Sequence, residues 1–143
     1  MERRVPVPLA HWREESQHAL LDELELLRED ARLSHAQRDA AVGELIELVG
    51  AVDGMVQAQA RADVDYFCAI AGTPYSAAQQ QQIHDTVLKA YRWQYIVSGA
   101  MEPRFQKTLF GLLDGRQIAR IEAALAPLSY AVPMQPEPLP MAA

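Results

Sequence analysis

Residues 34–71 read SHAQRDAAVGELIELVGAVDGMVQAQARADVDYFCAIA and contain no proline. They lie inside a longer proline-free run, residues 9–73, rich in Ala, Leu, Glu, Gln and Arg, which cost little in a helix. Leu45, Leu48, Val49, Val52, Val56, Ala60, Val64 and Phe67 recur at intervals of three and four, the spacing of one helix face. Ser34 and Gln37 open the stretch as a capping box, in which each side chain satisfies a backbone N–H that the first turn leaves free. The spacing predicts one long helix over 35–71, either straight or bent at Gly50 or Gly54.

The same box recurs at Ser76–Gln79 and at Asp114–Gln117. Pro103 suits the first turn of a further helix, and Pro127 stops the one before it. Five helices follow, over 12–32, 35–71, 77–99, 103–113 and 115–126. No segment alternates polar and apolar residues for long enough to make a strand. The expected fold class is all-α: an antiparallel bundle of about five helices with a long second helix. Residues 1–126 form one domain in this reading, and 127–143 an extended proline-rich arm.

Composition narrows the function. A chain of 143 residues that is 50% hydrophobic and 22% charged has the makings of a packed core rather than a disordered segment. Thirteen basic residues against nineteen acidic give a net charge of −6, which disfavours binding to nucleic-acid phosphates. Lys89 and Arg92 alone do not equip the third helix as a recognition helix. A single cysteine, Cys68, excludes a disulfide scaffold and fits a reducing compartment. No apolar run approaches the roughly 18 residues of a membrane span, and Met1–Trp12 lacks a signal-peptide stretch. A cytoplasmic protein is expected.

Metal binding is the first chemistry to weigh, because helical bundles hold metals between carboxylates and histidines. Glu15 and His18, Glu44 and Glu47, and His84 and Asp85 are the raw material. Counting levels through antiparallel turns separates His18 from His84 by roughly 20 Å along the axis, at 1.5 Å per residue. No metal site and no cofactor are expected.

Polar groups on apolar faces are a stronger signal, since buried polar atoms need partners. Glu23 falls within the stripe of Trp12, Leu20 and Leu27, and Gln94 within the core stripe of the third helix. The plain alternatives are a carboxylate reaching solvent and an amide bonded to backbone. Trp12, Tyr91 and Tyr95 fall at one level as an aromatic layer near Val52 and Val56. With His84, these residues form a candidate ligand site: Trp12, Glu23, His84, Tyr91, Gln94 and Tyr95. As a plain core they would do no chemistry.

Two features point instead to association. Gly43, Gly50 and Gly54 line up opposite the Leu/Val stripe of the second helix, and each costs about 1 kcal/mol against alanine there. Trp93 lies off the core stripe of the third helix and reads as an anchor at a subunit contact. Residues 1–65 carry 7 basic and 14 acidic side chains, whereas 84–126 carry 6 and 4, an asymmetry that favours head-to-tail or heteromeric pairing. The leading expectation is a non-catalytic helical subunit or adaptor, acting as a homo-oligomer or within a larger complex. The alternative is a small-molecule-binding or metal-dependent bundle enzyme with its site between the first three helices.

Overall fold

The computed structural model describes residues 7–133, with side chains for 11 and 14–133. Every element in that range is helical, and none of the described residues is in a strand. Helix α1 spans Val7–Asp30, α2 His35–Ile70, α3 Ala77–Arg92, α4 Pro103–Leu112 and α5 Gly115–Leu125. The all-α expectation, with five helices and a long second one, holds. The chain divides into two units, 1–40 and 41–143.

In the first unit, the loop from α1 to α2 is closed by Arg38. Its guanidinium donates to both carboxylate oxygens of Asp30, at 2.6 and 2.9 Å. Both side chains are about three-quarters or more buried, which sets this pair apart from the exposed Arg28–Glu25 and Arg32–Glu29 pairs. Exposed pairs on one helix contribute only about 0.3–0.5 kcal/mol. Ser34 caps α2 as its sequence predicts, with the Ser34 amide donating to Gln37 Oε1 at 2.9 Å.

The second unit begins with the greater part of α2, which runs through Gly50 and Gly54 as one element of 36 residues. The helix ends at Ile70, and Gly72 follows at φ +67°. That left-handed conformation, open to glycine without a Cβ penalty, turns the chain out of the helix. Ser76 then caps α3 in a complete box with Gln79. Leu88 packs with Val56 and Ala60, while Ile96 and Val97 meet Val49 and Val52. Falling numbers on α2 thus match rising numbers on α3, so the two run antiparallel.

Beyond Arg92 the helix changes pitch. Trp93–Val97 is a π-turn, and the Ser98 amide reaches back five residues to the Trp93 carbonyl. One extra residue per turn moves every later position by about 100° relative to an α-helical count. The neighbours Ile96 and Val97 are therefore both buried.

Asp114 and Gln117 form the third capping box, at the start of α5. Its side chain side, Gln117, is almost fully enclosed, at 1% exposure. The C-terminal segment stays helical further than its prolines predict. Ala126–Ala131 is a 3₁₀ turn, and Leu128 and Ala131 are buried against Ile96 and Val97. Proline at the start of a turn fits the helical φ it already has, so Pro127 starts this turn rather than an extended arm. Residues 134–143 of that arm lie outside the described residues.

Asp114→Ala removes the side chain that accepts from both Arg116 and Gln117 amides. It is expected to lower unfolding free energy by about 1 kcal/mol, read as a lower urea midpoint at unchanged slope.

Candidate functional site

The expected ligand residues are divided between the two units. Trp12 lies outside the described side chains, and Glu23 is half-buried on α1, in the first unit. The other four sit on α3 and its π-turn, in the second. His84 is largely buried, its Nδ1 3.4 Å from Asp85 Oδ1. Its Nε2 is enclosed with no hydrogen-bond partner among the described residues. Tyr91 donates its hydroxyl to Asp63 of α2. That bond, then burial and the nearby negative charge, raise the Tyr91 phenol above its usual range.

Gln94 and Tyr95 require a correction. A continuous α-helical count puts Gln94 in the core stripe, but in the structure it lies within the π-turn and is exposed. Tyr95 is 65% exposed and meets Tyr91 edge-to-face at 5.9 Å between ring centroids. Trp93 moves the opposite way: it packs against the cluster of Ile96, Val97, Leu128 and Ala131 instead of standing off the core.

The glycine line has a partial explanation. A Cβ on Gly43 would lie 3.4 Å from the Arg120 guanidinium of α5, an ordinary close contact. Gly50 and Gly54 face open space within the chain.

Three residues missed by periodicity form the best-organised polar group. Arg92 spans from α3 to Asp53 of α2, donating through Nε to Oδ1 at 2.7 Å and through Nη2 to Oδ2 at 2.8 Å. Its Nη1 donates to the Tyr130 hydroxyl at 2.8 Å, so the same cation holds the C-terminal turn. Gln57 adds a bond to Asp53 Oδ2 at 2.6 Å. The Arg92 bonds hold the Asp53 carboxyl below the usual range against the opposing effect of burial, and Asp53 in turn raises Arg92. A paired, mostly buried fork of this kind positions chain segments, and neither partner is free for acid–base chemistry.

Beside this group lies an apolar groove of about 620 Å³, formed entirely within the second unit. Leu45, Leu48, Val49 and Val52 of α2 line it, with Ile96 of the π-turn and Gly99 just after that turn. Phe105 and Leu109 of α4 face Ile121, Leu125 and Leu128. The polar residues that border it are Asp53, Tyr95 and Glu102. Glu102 Oε2 is engaged as the N-cap of α4, accepting the Phe105 amide at 2.7 Å. No group of three or more His, Cys, Asp or Glu that could hold a metal occurs among the described residues.

A different apolar surface lies on α1. Leu20, Leu21, Leu24 and Leu27 fall within an arc of about 120°, and each is between 42% and 62% exposed. Among the described residues, no helix is long and apolar enough to cross a membrane.

Arg92→Met is expected to lower stability by about 2 kcal/mol, the scale of hydrogen bonds to charged groups. The Asp53 carboxyl is depressed in the folded chain, so its contribution is present above the ordinary value of 3.8 and lost as pH falls through the lower folded value. Asp53→Asn should therefore flatten the acid limb of a stability–pH profile. Unchanged acid dependence would contradict the clasp.

No known protein family, curated protein or solved structure matches the chain.

Proposed function

We propose that this chain is a non-catalytic helical subunit of the cytoplasm that works by associating with another polypeptide through the leucine face of α1. The observation that carries the reading is that face itself, with Leu20, Leu21, Leu24 and Leu27 all exposed on one side of a 24-residue helix. Scattered apolar residues are normal on a surface, but a contiguous stripe of leucines marks a contact. A stripe about 120° wide is the form an amphipathic helix offers to a partner helix or groove. Glu25, Arg28, Glu29 and Arg32 pair among themselves beside it, a polar border to an apolar centre.

Two further properties support the reading. The net charge of −6 leaves little attraction for nucleic acid, and the lone Cys68 suits a reducing compartment. The Asp53–Arg92–Tyr130 and Asp63–Tyr91 bonds commit the best-placed ionisable groups to holding the fold. In the second unit, Trp93 packs against Ile96, Val97, Leu128 and Ala131, and Gly43 lies beside the Arg120 guanidinium.

Leu24→Glu tests the proposal. Leu24 is 54% exposed, so the substitution should leave helical content unchanged. A carboxylate in the centre of an apolar contact should weaken association at least about tenfold, read as a fall in mass by light scattering after size exclusion. A wild-type chain that runs as a 15.9 kDa monomer and captures no partner would contradict the reading.

A further inference from the structure

The groove in the second unit has properties that the leucine face does not share. Its volume of about 620 Å³ lies within the range of small-molecule sites, and it is concave. Its chemistry is also selective. Neither carboxylate at its border stands unopposed, because Asp53 is held in both oxygens by Arg92 and Glu102 sits on the N-terminus of α4. No lysine, arginine or histidine lines it. Tyr95 borders it, and its hydroxyl makes no hydrogen bond with the described residues.

We infer that the groove binds a neutral, mostly hydrocarbon small molecule carrying one hydrogen-bonding group, which the Tyr95 hydroxyl contacts. An anionic amphiphile would bring its charge towards two carboxylates with no cation to meet it. A cationic one would lose its hydration in an apolar groove while finding Asp53 already paired with Arg92 and Glu102 already at the positive end of α4. A neutral alcohol or carbonyl compound avoids both costs and pairs with Tyr95. Gly50 lies in the α2 wall with nothing within 4 Å of its Cβ position, so a large side chain there enters the groove without straining the helix.

The test uses the neutral dye N-phenyl-1-naphthylamine on the full chain, with 1-dodecanol, dodecanoate and dodecyltrimethylammonium as competitors below micelle formation. The dye should brighten on binding, and Gly50→Phe should abolish the signal with unchanged circular dichroism. Dodecanol should displace the dye at least about tenfold more effectively than either charged analogue. Tyr95→Phe should weaken dodecanol by about fivefold, the loss of one hydrogen bond, while leaving the dye's affinity unchanged. No dye binding, binding that survives Gly50→Phe, or a charged competitor equal to dodecanol would each overturn the inference. A Tyr95→Phe chain that binds dodecanol as the parent does would overturn the role of the hydroxyl.

Discussion

One guanidinium holds the second unit together. Arg92 leaves α3 at the point where the helix changes pitch, clasps Asp53 of α2 and holds Tyr130 of the C-terminal turn. Three segments far apart in sequence meet on a single planar cation, which presents its donors in a fixed fork. The surrounding core is modest: Ile96, Val97, Leu128 and Ala131 in one cluster, Val56, Ala60 and Leu88 in another. The clasp sits where α2, α3 and the 3₁₀ turn must be in register for the first of these clusters to close. Pro127 and Leu128 border the groove from the turn that Tyr130 anchors, so the groove adjoins the same bond.

Much of this is legible in the sequence. The three capping boxes, at Ser34, Ser76 and Asp114, all form, because a cap is a local event between residues three apart. The α2 stripe is legible in its middle, where Val56, Ala60 and Val64 are buried. It misleads at Leu48 and Phe67, which are exposed, because periodicity says which residues share a face but not how far a neighbour covers it. The π-turn is the larger loss. Nothing in Trp93–Val97 announces an i→i+5 bond, and a continuous α-helical count places neither the exposed Gln94 nor the packed Trp93.

The clasp itself left only a faint trace. Asp53 and Asp63 each adjoin a residue of the apolar stripe, Val52 and Val64, so acids at the edge of a buried face were visible. Their partners were not, since Tyr91 and Arg92 reach them only through the register of two antiparallel helices. Arg92 read alone belongs to a polar strip with Asp85 and Lys89. Pairing across helices is a tertiary fact that no single-helix pattern encodes.

The α1 stripe and the groove, each in its own unit, differ in form. The α1 stripe is convex and leucine-rich, suited to another helix. The groove is concave and bordered by committed polar groups, suited to a small molecule. Small chains leave apolar surface exposed in any case, but a stripe of four leucines on one helix is more than that background. Native mass spectrometry of the protein from its own host, before and after denaturation, tests the association most directly. The account predicts an intact mass that is a multiple of 15.9 kDa, or that includes a second polypeptide, collapsing to 15.9 kDa on denaturation. A single species at 15.9 kDa under native conditions would contradict it.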